Sequence, residues 1–190
     1  MGGSIWSDTL AEFRDKAGGT DPVPAGVSIS AVTASLALSL IAKVLRIKRA
    51  DTTLLDAVKL ESKRLAQLAD RDIRAFERYM DCVRSKQPKD DAMREAIRVP
   101  MDAARSAMRG IELCREATAV FSTGLTAADL GAAACLLRGA AQAMLLGVES
   151  NLTHLPDDDL FRQEIVSDLS ELKSVLSAFE HNTNTETRTS

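Results

Sequence analysis

The sequence predicts an all-α protein, a single-domain bundle of long helices around two small-residue central helices. Three observations carry that prediction. Apolar residues recur at three- and four-residue intervals along most of the chain, and no stretch keeps a period of two. The segment 51–85 holds neither glycine nor proline. Two further segments, beginning near Pro22 and Thr126, are almost free of charge in a chain of which 27% is charged.

The elements follow in order. Trp6, Leu10 and Phe13 mark a short amphipathic helix, with Ser7 or Asp8 in its first turn and Gly18-Gly19 ending it. Pro22, Pro24 and Gly26 form a rigid turn that delivers the chain to a helix start. The run from Pro22 to Ala42 carries no charge and is rich in Ser and Ala, so another backbone can approach it closely, and Lys43, Arg46, Lys48 and Arg49 close it. Its length would suit a membrane span, but its hydroxyls and prolines favour the buried helix of a bundle. From Asp51 to about Ser85, Leu54, Val58, Leu65, Leu68, Phe76, Met80 and Val83 predict the longest helix. Pro88 breaks it, and Val99-Pro100 is expected to be a second break, with Pro100 in the first turn of a helix running to about Val120. Thr126 opens the second small-residue helix, charged only at Asp129, Arg138 and Glu149. The last helix starts after Pro156, with Asp157, Asp158 and Asp159 at the positive end of its dipole. Residues 1–180 are expected to form the domain and 181–190 a disordered polar tail.

Composition excludes several classes of function. A net charge of −3 and 4% aromatic content argue against a protein that neutralises phosphates or stacks bases, so no nucleic-acid partner is expected, and no membrane partner either. Three cysteines, each within a helical pattern, suit a reducing compartment, and the N-terminus lacks a signal-peptide pattern, so a cytoplasmic protein is expected. Only His154 and His181 are present, and no HExxH, CxxC or ExxH spacing occurs, so no metal site is expected and a Ser or Cys triad is poorly supplied.

Asp72 is the most informative polar residue. It stands four after Leu68 and four before Phe76, on the stripe that should face the core. A carboxylate there needs an ion-pair partner or a ligand, or its pKa rises. Arg105 could be that partner, or could hold an anionic substrate. Asp129 could complete a capping box with Thr126 or line a site. Lys48 and Arg49 could be solvated cations at a helix C-terminus or could capture carboxylates. The turn around Gly26 and Ser28 places backbone N–H groups at a helix start, where an anion could bind.

Taken together these positions resemble the cyclodeaminase/cyclohydrolase family of folate enzymes, over nearly the whole chain. The family's Pro-x-Pro-Gly-Gly-Gly turn is matched by Pro22 to Val27, and its Gly-Lys-Lys by Ile47-Lys48-Arg49. Its Asp-x-x-Ala-Phe is intact as Asp72 to Phe76, and its Val-Pro with a following arginine is Val99, Pro100 and Arg105. Its Ser-Asp is Ala128-Asp129, and its Asn-x-x-x-Asn is Gly147 to Asn151. Ala25, Val27, Ala128 and Gly147 are departures, and the stretch between Pro88 and Val99 is shorter than the family's.

The resemblance implies an α-helical homodimer acting on a tetrahydrofolate derivative as substrate, with no tightly bound cofactor. Two reactions are implied: hydrolysis of 5,10-methenyltetrahydrofolate to 10-formyltetrahydrofolate, or closure of 5-formiminotetrahydrofolate with loss of ammonia. Asp72 and Asp129 would then be catalytic. Gly26, Ser28, Lys48, Arg49, Arg105 and Asn151 would bind substrate. The departures support an alternative, a non-catalytic paralogue that binds folate or a partner. A helical interaction protein unrelated to folate would have no reason to carry these motifs in this order.

Overall fold

The computed structural model describes residues 3–121 and 123–186, with the side chains of Leu125 and of residues 180–186 excepted. All regular structure among them is helical. A single 3-10 turn at Ile5–Ser7 precedes α1 (Leu10–Ala17), α2 (Gly26–Ile47), α3 (Thr52–Ser85), α4 (Asp90–Phe121), α5 (Leu125–Leu152) and α6 (Leu160–Glu186).

Helices α2 to α5 form an up-down-up-down four-helix bundle in which each packs on the next and α5 closes back onto α2. The side-chain pairings fix the directions: Ser35 meets Ser62, Ser106 meets Glu61, Cys114 meets the Leu130 carbonyl, and Lys43 meets Asp129. The core is built from Leu38, Ile41 and Leu45 of α2, Leu65 of α3, Ile97, Met101 and Leu113 of α4, and Leu137, Met144 and Leu145 of α5. Gly110 permits the close crossing, because a Cβ there would lie 2.9 Å from a Leu137 methyl and 3.2 Å from a Leu38 methyl. Helix α6 packs on the outside of the bundle through buried Phe161, Ile165, Leu169 and Leu176, with the ion pairs Arg94–Asp159, Arg105–Asp168 and Lys173–Glu149 beside them. Both small-residue helices are long and apolar enough to cross a bilayer, yet 56% of the most apolar window of α2 is buried inside the bundle. The charge-free run is thus core sequence.

Four local expectations are corrected. Trp6 belongs to the 3-10 turn, and Thr9 caps α1, reciprocally bonded with Glu12. Trp6 instead donates its indole N–H to the Ala66 carbonyl (3.0 Å), while Asp70 accepts from the Ser4 hydroxyl and the Ile5 N–H. Pro100 does not break α4; it lies inside the helix. Proline there deprives the Ala96 carbonyl of its intrahelical donor, and the Asn151 side-chain amide fills the vacancy at 2.8 Å. Thr126 does not cap α5. Gly124, at φ 82°, takes the cap position, and the Thr126 hydroxyl oxygen is buried without a partner. Helix α6 runs past Phe179 to Glu186, since nothing in residues 181–186 is a helix breaker; the rest of the expected tail lies outside the described residues.

The Asn151 bond carries the first prediction. Asn151→Leu removes the donor and leaves the Ala96 carbonyl without a partner, so the protein should lose about 1–3 kcal/mol of stability. Chemical denaturation of the two proteins measures it, and an unchanged midpoint would mean that water serves Ala96 equally well.

Candidate functional site

Helix α2 begins at a turn with no side-chain cap. Its N-cap residue is Ala25, which offers no acceptor to the free N–H groups of the first turn. One half of a capping box is present: Ser28 Oγ accepts the Ala25 N–H at 3.0 Å. The Ser28 hydroxyl in turn donates to the Ala25 carbonyl at 3.1 Å. Asp72 approaches this helix start from α3, where the Ser28 N–H and hydroxyl favour its charged form. Ser28 is fully buried, and Asp72 is half-buried.

That setting raises the Asp72 pKa to about 6. Loss of water around the carboxylate is the main cause, and the two hydrogen bonds from Ser28 pull the value only part of the way back. A carboxyl group so placed takes and returns a proton near neutral pH, which an ordinary surface aspartate does poorly. No ion pair with Asp72 occurs among the described residues.

Arg105 is therefore not the partner of Asp72. It is bound to Asp168 of α6 and lies 3.5 Å from Asp102, on the outer side of α4. Asp129 is likewise not part of a capping box. It accepts from Lys43 at 2.7 Å, joining α5 to α2 near the far end of the bundle.

The predicted site residues divide between the two ends. Gly26, Ser28, Asp72 and Asn151 lie at the end where α2 starts. Lys48 and Arg49 lie where α2 stops, and Asp129 lies nearby. Arg49 takes φ 52°, and the Ala50 N–H bonds back to the Leu45 carbonyl, so the pair ends the helix by a left-handed turn with both side chains exposed. Twenty residues of helix separate Ser28 from Lys48, about 30 Å. Within one chain, then, the two groups do not meet.

Sequence reasoning missed one feature of the Asp72 end. A Cβ on Gly147 would lie 2.4 Å from Val27 Cγ2. The Val27 side chain occupies the space that a side chain at 147 would need, so two departures noted separately are one steric exchange. Asn151, one turn further along α5, is engaged with Ala96 and so holds α4 rather than standing free.

A family model described as formiminotransferase-cyclodeaminase matches residues 9–171. Among solved structures, formiminotetrahydrofolate cyclodeaminase from Thermotoga maritima aligns with a TM-score of 0.83 and 25% identity, covering 92% of this chain and 92% of that one. No curated protein matches the sequence.

Proposed function

The chain belongs to the formiminotransferase-cyclodeaminase family, and from that premise we propose that it is a folate one-carbon enzyme. Its proposed reaction is closure of 5-formiminotetrahydrofolate to 5,10-methenyltetrahydrofolate with release of ammonia. The observation that carries this reading is the half-buried Asp72 carboxyl, raised to about 6 beside Ser28. In the proposed sequence N10 attacks the protonated formimino carbon and a tetrahedral centre forms. Asp72 takes the proton from N10 and returns it to the amino nitrogen, which leaves as ammonia while the ring becomes the methenyl cation. Hydrolysis of the methenyl compound would use the same carboxyl to deprotonate water. The free backbone donors around Gly26 would face the substrate's polar edge, and no tightly bound cofactor enters the scheme. The expected test is direct: purified protein should form the methenyl absorbance band from the formimino substrate.

A homodimer belongs to this proposal. The outer face of α5 leaves Leu136 and Leu146 exposed at 42% and 58%, and α2 beside it leaves Leu36 exposed at 50%. Gly139 has open space where a Cβ would stand, so a second helix could approach closely. A two-fold axis across the bundle would place Lys48 and Arg49 of a second copy near Asp72, where they could hold the substrate's carboxylates. Sedimentation should give a dimer for the native chain and a monomer for Leu136→Glu/Leu146→Glu; a native monomer would contradict the arrangement.

A second reading is favoured by one observation, the contact of Val27 with Gly147. An occupied slot beside Asp72 is what a non-catalytic folate- or partner-binding paralogue would tolerate. Val27→Gly/Gly147→Asn distinguishes the two: turnover that appears only in the double variant supports the second reading.

A further inference from the structure

A cleft of about 290 Å³ lies between α2 and α3, and none of the residues assigned above lines it. Arg46 enters it from α2, and Lys59 and Lys63 enter from α3. Its floor is hydroxylic. Ser35 and Ser62 face each other at 3.0 Å, and the Ser39 hydroxyl donates to the Ser35 carbonyl.

The charges in this cleft are unbalanced. Lys59 pairs with Asp56 at 2.8 Å, whereas Arg46 and Lys63 have no ion-pair partner among the described residues. Lys59 and Lys63 stand four apart on one helix face, an arrangement that is unfavourable for like charges. The third cation comes from the neighbouring helix. Packing alone requires none of this, because the Ser35–Ser62 contact already joins α2 to α3.

We propose that this cleft binds a small, multiply charged oxyanion, a phosphate or polycarboxylate group, with Arg46 offering its planar fork and Lys59 and Lys63 acting as point charges. The volume accommodates one such group and not a folded partner. The site is independent of the folate reading, since it needs neither Asp72 nor the turn at Gly26.

The chain carries its own reporter. Trp6 is the only tryptophan, and its indole N–H bonds to the carbonyl of Ala66, a residue that lines the cleft. The full chain is titrated with inorganic phosphate and, separately, with citrate, against sodium chloride at matched ionic strength to remove simple screening. Trp6 emission and Tm are read together. The expected result is a saturable response to phosphate or citrate in at least one readout, absent with chloride. Arg46→Gln and Lys63→Gln should each weaken binding about tenfold or more. Tighter binding of phosphate would assign the cleft to phosphorylated ligands, and tighter binding of citrate to polycarboxylates. The proposal is overturned if neither readout saturates with either anion, if chloride gives an equal response, or if the Arg46→Gln/Lys63→Gln double variant binds as tightly as the native chain. Loss of turnover with intact anion binding would instead overturn the folate reading alone.

Discussion

Asp72→Asn is expected to lower turnover about 10²- to 10⁴-fold, the usual contribution of a positioned acid-base group, while leaving the fold in place. Asparagine keeps the size and an acceptor oxygen beside Ser28, and the Ala25 N–H to Ser28 Oγ bond at the start of α2 does not involve residue 72. What asparagine cannot do is carry the proton. In the native chain the rate should rise with pH through about 6 and then level off, as the carboxyl becomes the base. Stability should move the other way. A carboxyl whose folded value lies above its ordinary 3.8 holds more protons folded than unfolded between the two values, so stability falls as pH rises from 3.8 to about 6. Asp72→Asn removes that slope, and its advantage over the native chain should grow across the same window. Paired measurements of rate and denaturation midpoint against pH check both halves. An unchanged rate in the variant would remove Asp72 from the mechanism, and an unchanged stability slope would remove the burial argument.

Gly147→Asn alone is expected to destabilise the protein by about 1–3 kcal/mol, the usual cost of overpacking. The first atom of the new side chain would fall 2.4 Å from Val27 Cγ2. In a Val27→Gly background the same change should cost far less, because the methyl group it meets is gone. The two substitutions should therefore couple by about 0.5–3 kcal/mol in a double-mutant cycle. For a chain of this size each kcal/mol moves Tm by about 2–4 °C, so thermal melts of the four proteins suffice. Strict additivity would mean that Val27 and Gly147 do not share the space.

The helical fold was legible because its signals are local. Asp51 stands at the cap of α3, Val58, Leu65 and Leu68 of the predicted stripe form its buried side while Val83 at the end of that stripe is exposed, and the missing charges between Pro22 and Ala42 mark core. Asp72 was legible for the same reason, as a carboxylate on an apolar stripe. The errors came where a distant residue decides a local outcome. Pro100 reads as a helix break until Asn151 supplies the missing donor to Ala96, 55 residues from it in sequence. Thr126-x-x-Asp129 reads as a capping box until Gly124 takes the cap and Lys43 takes the aspartate. Arg105 reads as a partner for Asp72 until α6 brings Asp168 to it. Val27 and Gly147 read as two losses because the sequence does not reveal that antiparallel packing of α2 on α5 sets one against the other. The division of the site residues between two ends follows from the same packing, and it is the physical reason a second copy enters the proposal.

Whether the protein closes 5-formiminotetrahydrofolate is decided by following the absorbance of 5,10-methenyltetrahydrofolate together with ammonia release after purified protein is added to that substrate. Protein-dependent growth of the methenyl band is expected, with ammonia released in equal amount and both lost in Asp72→Asn. No band above the protein-free rate, under conditions in which the same folate binds to the protein, would contradict it and leave the non-catalytic paralogue as the reading of this fold.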